Sequence, residues 1–398
     1  MHRVDRFTPW PVRSSHAALA VLAVLMLGLC AACRQAPGPQ FPLNTEGRDL
    51  AELIPDQAQR QQRLQAVRQA LSELFGTPDA PRVPSGVGLD LAKVRAAAGP
   101  VGGEADGTQR GLFRRHCVGC HGLAGDGAGP AAGSLDPYPR DYRLGIFKYT
   151  STSDGAKPCR DDLERTLLRG IPGTAMPSFA QLRQGEIAAL VEYVKYLSIR
   201  GQTETALLEL VVDDGAPLPL DAQLVLDEAV RPAAELWEAP ERLGLIVQPP
   251  ARPAVDAPEA LAASIARGRQ MYLRDAGQCV RCHGLEGDGS GQERELYDEW
   301  NKPKRGPTPE ETARRASRFA LPLQRIRPRN FREGVFRGGN APRDLYWRIC
   351  VGIKGTPMPA AGPSRASTGA FTYEEIWPLV DYVRSLAGSG RGTVGGGR

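Results

Sequence analysis

The chain carries one pentapeptide pattern twice, Cys117-Val-Gly-Cys120-His121 and Cys279-Val-Arg-Cys282-His283, each followed by Gly-Leu-x-Gly-Asp-Gly. Two thiols spaced C-x-x-C with a histidine directly behind them constrain the chemistry more than any other feature. The thiols can add across the vinyl groups of a porphyrin, and the adjacent imidazole then reaches the iron from the same side. A zinc ribbon would place its cysteine pairs roughly 15–20 residues apart, whereas Cys120 and Cys279 lie in different halves of the chain. A redox dithiol calls for a βαβ pattern around one pair, and neither motif has one. Two covalently bound c-type haems are therefore expected, attached at Cys117, Cys120, Cys279 and Cys282, with His121 and His283 as iron ligands.

The motifs sit inside a longer repeat, which argues for a duplicated module over two unrelated domains. Pro139-Arg140-Asp141-Tyr142, Gly145-Ile146-Phe147 and Gly173-Thr174-Ala175-Met176-Pro177 in the first copy answer to Pro328-Arg329-Asn330-Phe331, Gly334-Val335-Phe336 and Gly355-Thr356-Pro357-Met358-Pro359 in the second. Each copy closes on a segment with helical apolar spacing: Ile187, Leu190, Val191, Val194 and Leu197, then Ile376, Leu379, Val383 and Leu386. Short helices are also expected at Asp161 to Leu168 and Asp344 to Val351, ahead of the methionine loops. The division that follows is an export signal over 1–32, a spacer with one helix over 33–103, module one over 104–201, a linker over 202–257, module two over 258–387 and a Gly-rich tail over 388–398. The spacer helix is expected at Pro55 to Leu74. The linker, rich in proline, is expected to be partly ordered with one helix around Asp221 to Glu238.

The sixth iron ligand follows by elimination. Of five histidines, His2 and His16 precede the modules, His121 and His283 are already used, and His116 abuts Cys117, badly placed for the far face of the same haem. Of five methionines, Met1 and Met26 fall in the signal and Met271 reads as core packing. Met176 and Met358 remain, one per module, each in a Gly-Thr-x-Met-Pro loop. A soft thioether opposite imidazole favours Fe(II) and raises the reduction potential. Of the eight cysteines, four belong to the haem motifs and Cys30 and Cys33 lie near the N-terminus, which leaves Cys159 and Cys350; free buried thiols and an inter-module disulfide are both open to them.

Arg3, Arg6 and Arg13 precede an apolar run from Ala17 to Leu29, and Cys30-Ala31-Ala32-Cys33 follows. This is the layout of an export signal, and a helix over that run falls short of the roughly 30 Å hydrocarbon core. Lipid attachment at Cys33, a cleaved signal and an uncleaved anchor are the options. Membrane association on the periplasmic side is the expectation. A net charge of +5 from mixed signs does not suggest a nucleic-acid partner. The cationic stretch from Lys302 to Arg332 reads either as a solvated loop or as a face for an acidic redox partner or haem propionates.

With these residues the chain resembles the class I c-type cytochromes, as a tandem of two modules, and is similar to lipid- or membrane-anchored dihaem cytochromes of bacterial respiratory chains. The resemblance implies an all-α fold in each module, with the helix before the haem motif crossing the closing helix through Phe113, Leu190 and Tyr193, and through Tyr272, Leu379 and Tyr382. Gly268 matches the family's close-contact glycine; Gln109 stands in its place in module one. It further implies that Pro130 accepts the His121 Nδ1–H, with Gln292 in the corresponding place after His283, and that Arg140 and Arg329 contact propionates. The implied function is one-electron relay between a respiratory-chain donor complex and a terminal oxidase or reductase. Six-coordinate irons leave no open position for substrate, so no enzymatic activity is expected. A haem-bearing subunit of a larger membrane respiratory complex and a dihaem peroxidase are the alternatives.

Overall fold

The computed structural model describes residues 38–45, 50–103, 105, 107, 109–274, 277–292, 296–298 and 321–387. The expected export signal with Cys33, the Gly-rich tail and most of the Lys302 to Arg332 stretch lie outside the described residues. The fold is all-α. Among the described residues the only sheets are two ribbons of paired dipeptides, β1 (Gly102–Gly103) with β2 (Gln109–Arg110), and β3 (Leu296–Tyr297) with β4 (Arg325–Ile326). No described helix is long and apolar enough to cross a membrane.

Eleven helices carry the argument. Ahead of and within module one are α1 (Gln57–Phe75), α2 (Leu91–Ala97), α3 (Leu112–His116), α4 (Val118–His121), α5 (Arg160–Arg169) and α6 (Gln184–Leu208). Then come α7 (Arg231–Arg242), α8 (Pro258–Tyr272), α9 (Cys279–His283), α10 (Pro342–Val351) and α11 (Ile376–Ser385). Asp56 and Asp90 cap α1 and α2 by accepting from main-chain N–H groups of the first turn.

Around α6 the structure departs from the expected division. A closing helix was expected to stop near Leu197, but α6 continues to Leu208, and Ile199, Leu207 and Leu208 are as buried as Leu190. A helix that is apolar all round must be covered all round. The cover comes from the segments read as spacer and linker. Val67, Leu71 and Phe75 of α1, Val94 of α2, and Val225, Val230 and Trp237 share one core with Phe113 and Tyr193. The spacer is thus part of module one's core, and 222–242 is an ordered helical arm that includes the π-helical turn Leu226–Val230.

The rest of the linker is a strap between the modules. Val247 N–H donates to the Ser151 carbonyl at 2.8 Å, and the Val247 carbonyl accepts from Trp347 Nε1 of α10 at 2.9 Å. Module two keeps its own core, with Met271, Tyr272, Tyr346, Trp377 and Leu379 buried together. Met271 is therefore a packing residue, as the sequence implied.

Charged contacts stitch the seam. Arg169 donates to both carboxylate oxygens of Asp344 at 3.0 and 2.9 Å, and Asp344 also caps α10. Arg165 lies over the Trp347 ring, 4.4 Å from its centroid. Lys354 of module two donates to Thr152 Oγ1 at 2.6 Å and to the Ala156 carbonyl. Burial pushes the Lys354 ammonium down to about 7. An unfolded lysine keeps its proton to about 10.4, so between pH 7 and 10 the unfolded state binds more protons and stability rises with pH. Wild type should therefore gain on Lys354→Met by about 1 kcal/mol per pH unit across that window. Chemical denaturation of both proteins at pH 7, 8.5 and 9.5 checks this; parallel profiles would mean a lysine that stays solvated.

Candidate functional site

Each haem motif begins a one-turn helix that ends in a folded-back glycine loop. In α4 and α9 the histidine carbonyl accepts from Gly127 N–H and Gly289 N–H, both at 2.9 Å. Gly127 and Gly289 have φ of +73° and +77°. A Cβ there would fall 2.6 Å from the Pro139 carbonyl oxygen and 2.8 Å from that of Pro328. Only glycine lets the Pro-Arg segment lie against the loop.

That approach decides which carbonyl holds each imidazole. His121 Nδ1 lies 3.0 Å from the Arg140 carbonyl oxygen and His283 Nδ1 lies 3.1 Å from that of Arg329. A carbonyl can only accept, so Nδ1 carries the proton and the Nε2 lone pair is left for a metal. Pro130 does not take this role. The Gly-Asp-Gly turn brings the repeat's arginine position over the ring instead, so the support is the same in both modules and does not depend on Gln292. Burial holds His121 down to about 4 and lowers His283, which keeps both imidazoles neutral. Rings stack on them. Tyr142 lies 4.6 Å from His121, and Phe331 lies 4.4 Å from His283.

The leading thiol of each motif is not activated for redox exchange, which needs a thiolate. Burial pushes Cys117 up to about 12 and Cys279 up to about 11, with a neighbouring cysteine adding to the first. The described cysteines are all free of disulfides, Cys159 and Cys350 among them. Cys159 serves as the cap of α5 and touches Ser151 Oγ at 3.5 Å, and Cys350 is packed in module two's core. No three His, Cys, Asp or Glu side chains among the described residues gather as a mononuclear metal site would require.

The methionine loops match bond for bond. Ile171 N–H donates to the Met176 carbonyl at 3.0 Å, Thr174 Oγ1 to the Ile171 carbonyl at 2.8 Å, and Met176 N–H to Thr174 Oγ1 at 3.1 Å. The corresponding distances around Ile353, Thr356 and Met358 are 3.1, 2.7 and 3.2 Å. In module two a cavity of 420 Å³ has Cys279, Cys282, His283 and Met358 in one wall system, with Phe331, Phe336, Leu379 and Val383 as apolar lining. That volume lies in the range of cofactor sites, and the donor set is the thiols, imidazole and thioether that a c-type haem uses. In module one Cys117 is part of the core against which Met176 packs.

The helix crossings follow the expectation in module two and differ in module one. Tyr272 and Tyr382 meet with ring centroids 5.2 Å apart, and Tyr272 Oη donates to the Gly284 carbonyl at 2.6 Å, holding the loop behind His283. Phe113 meets Tyr193 at 5.0 Å. Gln109, however, lies in β2, so module one has only the short α3 before its motif, and α2 supplies the packing on α6.

Arg329 lines the second cavity and also pairs with Glu333 at 3.4 Å. Burial lowers the Arg140 guanidinium to about 10, with Asp298 as the largest opposing charge. Several lining residues carry no motif of their own in the sequence, among them Lys148 and Tyr149 of module one. A signal was present, since Phe147-Lys148 and Phe336-Arg337 put a cation after the same phenylalanine in both copies.

The cytochrome c family model matches residues 109–198 and 265–387, together more than half of the chain. A chain of the Kuenenia stuttgartiensis reducing HAO-like protein complex is 26% identical, over 70% of this chain and 94% of its own, with a TM-score of 0.44. No curated protein matches.

Proposed function

Because this chain belongs to the cytochrome c family, and so carries two covalent c-type haems, we propose that it relays single electrons between a respiratory-chain donor complex and a terminal oxidase or reductase. When bound, each haem iron takes up and gives back one electron. The observation that carries the reading is the second cavity, whose wall holds both His283 and Met358. His283 and Met358 would together hold the iron of a bound haem, which would leave substrate no open position there.

What the protein does is hold that set still. The Arg140 and Arg329 carbonyls fix each ring, and the threonine-locked loops present Met176 and Met358. A fixed ligand set changes little between oxidation states, which favours electron transfer over chemistry at iron. The Ala17 to Leu29 run and Cys33 support placement on the periplasmic side with a membrane attachment, where such donors and acceptors meet.

Optical and magnetic spectroscopy with haem quantification tests the reading. Two low-spin His/Met haems per chain, without peroxide turnover, are expected. A high-spin or bis-histidine haem, or peroxide consumption, would replace relay with the dihaem peroxidase alternative. Recovery of the chain only with larger partners from mildly solubilised membranes would make it a haem-bearing subunit of a complex.

A further inference from the structure

Part of the second module's haem cavity is built by the first module. Lys148 and Tyr149 line the same space as Cys279, His283 and Met358. The Tyr149 ring packs over Gly338, where an added Cβ would lie 2.6 Å from a ring carbon, so any larger residue there would push the tyrosine away. Lys148 reaches the seam beside Asp298, 2.9 Å from its carboxylate.

The charge of this cavity is one-sided. Its cations are Lys148, Arg281, Arg327, Arg329, Arg337 and Arg348, and among the described residues no carboxylate lines it. Arg348 donates to the carbonyls of Asp344, Arg337 and Gly339, which satisfy its hydrogens without neutralising it. Arg337 donates across the seam to the Gly173 carbonyl at 3.4 Å, and its Nε is buried with no hydrogen-bond partner. Guanidiniums of both modules, Arg348, Arg337, Arg140 and Arg329, act on the one Tyr149 hydroxyl, which burial keeps protonated and so able to donate. Lys148 has a counter-charge in Asp298 and Arg329 one in Glu333, but the Arg337 Nε hydrogen is buried without an acceptor and the Arg348 guanidinium is held by carbonyls, so an anion arriving with the ligand would offset a burial cost here. A haem brings two carboxylates.

We propose that Lys148 and Tyr149 of module one are propionate-holding residues for the haem of module two, acting with Arg337 and Arg348, so that this haem's site is complete only when the modules are docked. The proposal rests on the dihaem electron-carrier reading and adds a cross-module contact to it. Removing a cation near the propionates favours the ferric state.

The test uses the full-length holoprotein in four variants: Lys148→Met, Lys148→Arg, Tyr149→Phe and Arg365→Met. Arg365 donates to the Leu243 carbonyl and does not line the cavity, so its loss removes one contact outside the site while the Val247 strap and the Arg169–Asp344 pair keep the modules docked. At the wild-type midpoint of the second haem, Lys148→Met should raise the oxidised-to-reduced ratio about tenfold, a fall of about 59 mV for one electron. Lys148→Arg should restore it, and Arg365→Met should leave it unchanged. Tyr149→Phe, which keeps the ring on Gly338, should shift the propionate bending band of the resonance Raman spectrum with haem content unchanged. Equal shifts in Lys148→Met and Arg365→Met would overturn the proposal, as would wild-type Raman bands in both Lys148→Met and Tyr149→Phe. Those outcomes would leave the electron-carrier reading standing; a wild-type protein without two low-spin haems would remove both.

Discussion

Replacing Met358 by alanine is expected to lower the midpoint potential of one haem by on the order of 0.1 V or more while the haem stays attached. Attachment depends on Cys279 and Cys282, which the substitution does not touch. The loop should also persist, because its bonds run through the Ile353 and Met358 main chain and the Thr356 hydroxyl. What disappears is the thioether, whose softness stabilises Fe(II) over Fe(III). Module two has no histidine besides His283, which is already committed, so none can take its place. Met176→Ala should do the same to the other haem. Spectroelectrochemical titration resolves the two steps, and unchanged potentials in both variants would take methionine off the ligand list.

Gly268→Ala is expected to cost module two roughly 3 kcal/mol or more, although alanine is the better helix former by about 1 kcal/mol. A Cβ at Gly268 would lie 1.9 Å from the Pro378 carbonyl oxygen and 2.8 Å from Tyr382 Cβ, where α8 crosses α11. The obstacle is helix backbone, which cannot rotate aside as a side chain would. Separation of the helices would pull Tyr272 from Tyr382 and loosen the Tyr272 bond to the Gly284 carbonyl behind His283. Urea denaturation followed by haem absorbance reads the loss. Gly185, which has nothing within 4 Å of a built Cβ, provides the comparison: Gly185→Ala should be neutral or slightly stabilising. Equal midpoints for the two variants would mean that the crossing yields.

Much of this protein is written locally. C-x-x-C-H defines a covalent geometry by spacing alone, and the scarcity of histidine with one Gly-Thr-x-Met-Pro loop per copy singles out Met176 and Met358. Duplication exposed Arg140 and Arg329, Tyr142 and Phe331, because equal places in a repeat meet equal surroundings. The short helices at 160–169 and 342–351 fall where they are expected, ahead of the methionine loop in each copy.

Tertiary structure decided what depends on neighbours remote in the chain. The segment over 33–103 reads as a spacer because α1 is rich in Gln and Arg, and its narrow stripe of Val67, Leu71 and Phe75 has meaning only against the far half of α6. The Pro-rich segment after Arg242 has no apolar period, yet main-chain bonds to Ser151 and Trp347 order it as a strap. Which carbonyl meets each histidine was set by a glycine turn that folds the arginine segment over the ring, and Pro130, nearer in sequence, was passed over. The second haem site borrows Lys148 and Tyr149 from the other module, since burial and charge act through space. Sequence determined which thiols, imidazoles and thioethers each module offers; tertiary packing decided what surrounds them, because spacing encodes covalent reach while the field at a site is a sum over whatever the fold brings near.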